Sequence, residues 1–520
     1  MKKSGLICLN LIFLILLSAC ISTRVVKSVF SPSDFNEINS KGAFKVHLKD
    51  GGLYVLKSWK TNTSGDTVTG YGKLYNYRRE LLGERVDVGS KAIIPFLIPK
   101  SSITLIETAK LEGNSGNLAA ISIAGVPFSV MSVYCLANPK ACFGSCPTFY
   151  ALKNNRWVLM AEGFSSSISP SFEKRDIDML YRVDDAQSDF RLKLTNEALE
   201  THVIRYVDLL LFPKSGGDQV FATDEGEFFR TGAVVPPQKC ISEEGDFRNE
   251  VTAMDGLERY TPTDPKNLAR REELVLTFDN NDIAGKGLII GARQTLLTTY
   301  LFYQEMAYTG NQYGAMVSEL ENGNDYLKKR IEKLWDKLGG IEVFIKSGNT
   351  WQKIDEIREM GPIASDVHLV KLPSVQDKEI TLKIRLTKGL WRIDLLGLAP
   401  IIGKESPVRI MPDMVLKEDS LDNQALGQLT GGISPLVTLP GDRYELRYNL
   451  PDNCSYQFFI DTKGYYLEWM RDNWLEEENM KKAAVALYFP GLFMRKAAAG
   501  YKKVEPQMEK VFWESRYVKP

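Results

Sequence analysis

The sequence predicts an α+β, β-rich protein of several domains, with small β-barrel or sandwich domains, a helical segment near 290–340 and another at the C-terminus. Three observations predict it. At 520 residues the chain is too long for one hydrophobic core. Apolar and polar residues alternate at period two through most of its length, the mark of half-buried strands. The strongest helical period lies in the stretch around 290–340 and in the C-terminal segment. Apolar residues make up 44% and charged residues 25%, the balance of a folded globular chain.

The first element is a leader. Lys2 and Lys3 precede an apolar run from Leu6 to Leu17, shorter than the about 20 residues that a membrane-spanning helix needs. Leu17-Ser18-Ala19-Cys20 follows: an aliphatic residue, two small ones and a cysteine. This resembles the lipobox of bacterial lipoproteins. The resemblance implies a signal peptide over residues 1–19, cleavage before Cys20, and a diacylglycerol on the Cys20 sulfur that anchors the protein without a spanning helix. Ile21 is not the Asp that retains lipoproteins in the inner membrane of enteric-type bacteria. The same resemblance therefore implies a cell-envelope protein on the periplasmic face of the outer membrane.

Residues 20–42 read as the lipidated tether, with Ser31-Pro32-Ser33-Asp34 inside it. Residues 43–115 read as a small β domain. Phe44, Val46 and Leu48 alternate with Lys45, His47 and Lys49, and Asp50-Gly51-Gly52 supplies a hairpin turn before Leu53 to Trp59. Residues 116–220 read as a Cys-containing β domain that ends in a helix from Glu197 to Leu211. Residues 221–340 read as a linker and helical region. Its first part is rich in Gly, Pro and acidic residues; its second holds helices over Leu296–Ala307 and from an Asn324 or Asp325 cap to Gly339-Gly340. Residues 341–400 read as a β-sandwich-like region, in which Ile380, Leu382, Ile384 and Leu386 share one face. Leu390-Trp391-Arg392-Ile393-Asp394 resembles the closing strand of galactose-binding-like jelly rolls, and the exposed aromatic Trp351 is its candidate contact. Residues 401–520 read as an α+β C-terminal region with strands over Tyr444–Leu450 and Tyr456–Ile460 and helices over Tyr465–Glu478 and Lys481–Phe489. Trp469 and Trp474 there are candidates for an interface or a ligand platform, with core as the commoner role.

Charge narrows the function. Sixty-five basic residues balance sixty-five acidic ones, whereas nucleic-acid binding calls for a basic surplus, so no nucleic acid is expected. Only three His occur, His47, His202 and His368, with no spacing that suits a zinc protease, and there is no Gly-x-Ser-x-Gly elbow. His47 and His368 fall at strand positions expected to face solvent, and His202 reads equally as an ordinary surface residue or as a distant partner of a Cys motif. Ser171-Phe172-Glu173-Lys174, Ser115-Gly116-Asn117 and Lys346-Ser347-Gly348 are fragments of penicillin-binding-type motifs in the wrong order.

Cys135, Cys142 and Cys146 are the sharpest chemical feature, the last two in Cys142-Phe143-Gly144-Ser145-Cys146-Pro147. In an exported chain the spacing reads first as a disulfide, then as a redox-labile thiol, then as a metal site. Cys-x3-Cys-Pro with a distant His, here His202, also resembles copper-delivery proteins of the thioredoxin fold. The run to Tyr150 resembles a short segment of uncharacterised bacterial envelope lipoproteins. The expectation is a non-catalytic binding or scaffold protein, without catalytic or metal residues and without a cofactor. Its partners would be the membrane, through Cys20, and a glycan or another envelope protein. An enzyme acting on an envelope polymer, or a thiol- or metal-binding protein using Cys142 and Cys146, are the alternatives. A cluster of carboxylates or a Ser/Lys pair converging in one cleft would speak for the enzyme.

Overall fold

The computed structural model describes residues 23–30, 44–48, 52–62, 66–75, 81–86, 94–113, 146–153, 156–180, 189–198, 200–280, 285–321, 324–358, 360–374, 378–431, 434–451, 455–468 and 477–514. The lipobox with Cys20, Cys135, Cys142, Trp469 and Trp474 lie outside them. The chain forms two compact units, Met1–Pro127 and Phe128–Pro520. The protein is α+β and β-rich, with its helices between residues 297 and 338, at 423–431 and near the C-terminus.

The described residues of the first unit form one antiparallel sheet. Its strands are β1 (Thr23–Phe30), β2 (Phe44–Leu48), β3 (Leu53–Thr61), β4 (Thr67–Tyr75), β5 (Leu81–Arg85), β6 (Phe96–Pro99) and β7 (Ile103–Gly113). They run in the order β1-β7-β2-β3-β4-β5, with β6 also on β4. Val46, Leu56, Val68, Phe96, Ile98, Ile103 and Ile106 form its core. Residues read as tether thus supply a strand: Val25, Val26, Val29 and Phe30 suit a β ladder, and β7 offers it a partner of matching length.

Among its described residues the second unit stacks four sheets. One holds β8 (Thr148–Lys153), β9 (Arg156–Glu162), β11 (Asp189–Thr195), β26 (Met414–Lys417), β27 (Ser420–Leu421) and β29 (Arg443–Asn449). The next holds β10 (Lys174–Met179), β12 (Glu200–Pro213), β25 (Val408–Ile410), β28 (Leu436–Thr438) and β30 (Tyr456–Glu468). In the third, β13 (Gln219–Ala222), β14 (Phe228–Thr231), β19 (Lys286–Gln294), β22 (Asp366–Lys371) and β24 (Trp391–Glu405) close into a five-stranded barrel, with β17 (Arg259–Tyr260) at one side. The fourth holds β15 (Lys239–Ser242), β16 (Gly245–Asp246), β18 (Arg271–Asp279), β20 (Ile341–Ser347), β21 (Thr350–Ile357) and β23 (Glu379–Thr387).

Each gap between sheets is a core. Leu209, Leu211, Phe458 and Ile460 pack toward β8 and β11, while Leu210, Phe212 and Phe459 pack toward the barrel. The middle strands are therefore buried on both faces and read as unbroken apolar runs. The expected helix Glu197–Leu211 is instead mostly strand β12: Leu209 to Phe212 is an unbroken apolar run in which the alternation of a strand does not show. Tyr465–Glu468 likewise belongs to β30. The supposed linker at 221–270 contributes strands β13 to β17. Residues 341–400 do not close on themselves: β20, β21 and β23 join the sheet of β15 and β18, while β22 and β24 join the barrel.

The helices follow their local signals. They are α1 (Leu297–Thr309), α2 (Tyr313–Glu321), α3 (Asp325–Leu338), α4 (Asn423–Gly431), α5 (Met480–Tyr488) and α6 (Pro490–Glu514). The Asn324 side chain accepts from Leu327 N–H at 3.1 Å and caps α3. Gly339, at φ 59°, ends α3 in a conformation that other residues resist. Among the described residues no helix is long and apolar enough to cross a membrane.

Candidate functional site

A cavity of about 510 Å³ opens in the second unit where the β12–β30 ladder meets α1 and α3. Its inner end is built by strand register. Glu200 of β12 stands directly opposite Glu468 of β30, and His202 stands opposite Tyr466. Alternation puts these four side chains on one face of the sheet. Cys146, two residues before β8, and Tyr303 of α1 complete that end, and all six residues are buried.

The carboxylates there are held by donors. Tyr303 Oη donates to Glu468 Oε1. His202 Nε2 lies 2.8 Å from Glu200 Oε1. Glu162 reaches the same neighbourhood from the end of β9 and accepts the Ile363 N–H at 3.0 Å. Its carboxylate lies over Gly361: a Cβ on that glycine would fall 0.8 Å from Glu162 Oε1, so only glycine fits.

Two groups at the inner end stay protonated. Burial pushes the Cys146 thiol well above its usual range, and the charges of Glu162, Glu200 and Glu468 push it the same way. Burial also drives the Tyr466 hydroxyl up. Each donates to the Ser165 carbonyl, Tyr466 at 2.9 Å and Cys146 at 3.8 Å. A nucleophilic or metal-binding cysteine needs the opposite setting, an electropositive one that favours thiolate. Cys146 and Cys240 are free thiols in the structure.

The walls are aromatic. Phe302 and Trp335, with ring centroids 6.3 Å apart, form one side, and Phe172 lies on the cavity as well. Polar residues at the mouth are already engaged. Ser171 Oγ donates to the Leu320 carbonyl at 2.6 Å, and Lys328 Nζ donates to the Ser171 carbonyl at 2.8 Å. Arg358 pairs with Asp336 at 2.7 Å.

Few of the residues singled out from sequence meet here. Cys146 does, and Ser171 and Lys174 line the cavity, whereas Lys346 sits in the β20–β21 hairpin away from it. Trp351 lies on β21, partly exposed, beneath Lys383 Nζ at 4.8 Å. Trp391, in the jelly-roll-like phrase, is core. Arg392 bonds Glu509 of α6, and Asp394 accepts the Gly256 N–H. The expected solvent-facing position of His368 is corrected: it is buried, and His202 is buried as well. Each has an acid two residues earlier on the same strand face, Glu200 and Asp366, at 2.8 Å. The Glu200-x-His202 spacing is thus, beside Cys146, a signal in the sequence that points to this site. Glu162, Glu468, Tyr303 and Tyr466 carried none, because nothing local says which strands will be neighbours.

No family model matches the chain, and no curated protein matches it. Among solved structures, the GH31 alpha-xylosidase of Xanthomonas citri is 8% identical at a TM-score of 0.16, and the chain spans 39% of its length while 89% of this chain is covered. The Gx strain of infectious bursal disease virus gives 6% identity and a TM-score of 0.15 over 86% of this chain and 79% of the other. The secreted serine protease VesC of Vibrio cholerae gives 7% and 0.14 over 72% of this chain and 76% of that one. Likenesses of this size establish no shared fold.

Proposed function

We propose that this chain is a lipid-anchored protein of the bacterial cell envelope that binds a glycan-like ligand in the cavity and releases it unchanged. The observation that carries the binding half is the aromatic wall of Phe172, Phe302 and Trp335 around a cavity that also holds the polar groups of Glu200 and Glu468. A volume near 510 Å³ falls within the roughly 300–1,000 Å³ typical of small-molecule sites. Sugar rings lay their apolar faces on aromatic rings and donate hydroxyl protons to carboxylates, so both parts of the lining suit them. The anchor half rests on the resemblance of Leu17-Ser18-Ala19-Cys20 to a lipobox.

Two measurements test the reading. Mass spectrometry of the mature N-terminus should find acyl chains on Cys20, and an unmodified Cys20 or another cleavage point removes the anchor half. Titration of the mature chain against cell-wall and capsular oligosaccharides should find a ligand whose affinity drops about tenfold or more in Trp335→Ala and Glu468→Gln. No ligand in the set, or none sensitive to either change, removes the binding half.

The convergence of two carboxylates also favours a second reading, an enzyme acting on an envelope polymer, since glycoside hydrolysis runs on such a pair. Under it, Glu200→Gln and Glu468→Gln each abolish product formation while the oligosaccharide still binds. Under the binding reading no product forms in any variant or in the wild type. The Ser171/Lys174 pair supports catalysis less, because the Ser171 hydroxyl is engaged by a backbone carbonyl.

A further inference from the structure

The first unit carries an exposed apolar edge. Strands β5 and β6 lie end to end along the same side of β4, β6 on Thr67–Gly70 and β5 on Gly72–Tyr75. Arg85 joins them, donating to the carbonyls of Ile94 and Pro95 at 2.9 and 2.7 Å. Leu81, Leu82, Val86, Ile94 and Leu97 lie along this edge, each between 50% and 71% exposed. Single exposed aliphatics are ordinary, but five along one sheet edge form a patch that calls for a partner.

Charge and chain length say which partner. Residues 23–113 contain fourteen Lys and Arg against nine Asp and Glu, a surplus of five in a chain whose total is balanced. Past the leader, the acidic surplus lies entirely beyond residue 113. Lys57 and Lys60 of β3 are exposed members of the basic set. Only Ile21 and Ser22 separate Cys20 from the first residue of β1. At about 3.5 Å per residue, that tether holds the start of β1 within roughly 10 Å of the lipidated sulfur.

We propose that the first unit docks on the bilayer through this aliphatic edge and its basic surplus, lying on an anionic phospholipid surface instead of hanging free from the anchor. Aliphatic side chains enter the interface while Lys and Arg meet the headgroups, the two contributions that hold interfacial proteins in place. The proposal rests on the lipid-anchor reading for its setting, though the surface itself can be tested without the lipid.

The test uses the mature chain with Cys20→Ser, which carries no acyl group, and co-sedimentation with vesicles. The expected result is binding to phosphatidylethanolamine–phosphatidylglycerol vesicles that weakens with salt and is much poorer on phosphatidylcholine alone. Leu81→Glu with Leu97→Glu should lower the partition about tenfold or more without changing the circular dichroism, since both side chains are exposed. Equal binding to both vesicle types, or no effect of the double variant, overturns the proposal. So does concentration-dependent dimerisation through this edge with no vesicle binding. If the mature N-terminus lacks acyl chains yet the vesicle result holds, the anchor reading fails and the surface stands; the reverse pattern sinks only the surface.

Discussion

Glu305 of α1 is buried with both carboxylate oxygens lacking a hydrogen-bond partner, and desolvation pushes its pKa up to about 8. A carboxyl raised in this way is protonated in the fold while the unfolded chain ionises near 4.5. It therefore contributes stability below that pH and withdraws it as pH rises toward 8. Glu305→Gln should raise stability at pH 8 by a few kcal/mol (roughly, from the size of the shift), with little effect at pH 4. Denaturant unfolding across that range measures it. His368 adds to the same trend. Its Nε2 lies 2.8 Å from Asp366 Oδ2, an ionic contact without hydrogen-bond alignment. Although burial alone would lower it, the Asp366 charge holds the imidazole up at about 8. A raised histidine stabilises most below its unfolded pKa near 6.5 and loses that contribution as pH passes 8. In Glu305→Gln, the fall that persists between pH 6.5 and 8 should thus be the share of His368. Gly361→Ala is predicted to displace Glu162 and with it Pro362 and Ile363 on the cavity wall. Any ligand that binds wild-type protein should then bind the variant far more weakly, by the same titration.

At the scale of elements, the middle strands decide stability. Leu210 is buried toward the barrel while its neighbours Leu209 and Leu211 are buried toward β8 and β11. Leu210→Ala should cost about 2–5 kcal/mol through lost burial and the cavity left behind, read as a lower denaturation midpoint. Asn324→Ala removes only the α3 cap and should cost about 1 kcal/mol. The contrast reflects how each element could be read beforehand. The α3 cap, its apolar face and its terminal glycine were all legible, because capping and amphipathy are local. β12 was misread because a strand covered on both faces loses its period. Ile380, Leu382, Ile384 and Leu386 of β23 were legible, because their opposite face is not a core and alternation survived. The cavity was the least legible feature. Glu200 and Glu468 are 268 positions apart, and only the β12–β30 register makes them neighbours.

At the scale of the molecule, the second unit is woven from distant segments. β30 lies between β10 and β12, and β29 pairs with β11, so the last hundred residues complete sheets begun before residue 213. The final helix α6 is tied back as well: Glu505 accepts from Tyr260 and Thr263, and Glu509 from Arg392. A fragment of residues 341–400 alone should consequently show no cooperative unfolding, since β23 lacks its partner β18 and β22 and β24 lack theirs, β19. Truncation before residue 456 should leave the second unit without a cooperative transition for the same reason. Calorimetry of the whole mature chain should resolve two transitions, one for each compact unit.

By itself the sequence determined that the protein is β-rich with a few capped helices, because period, caps and turns are written in neighbouring residues. The lipobox resemblance, from which the anchor is proposed, likewise rests on a contiguous run. The sequence could not determine which strands lie side by side, since β ladders join residues hundreds of positions apart and many pairings satisfy the same alternation. Tertiary structure alone decided that a supposed tether contains a strand, that 341–400 is shared between two sheets, and that two histidines are buried beside acids. It also decided that Cys146, Glu200, Tyr303, Tyr466 and Glu468 meet at the end of one cavity. Their meeting depends on register and helix docking, which are properties of the packed chain and of no segment within it.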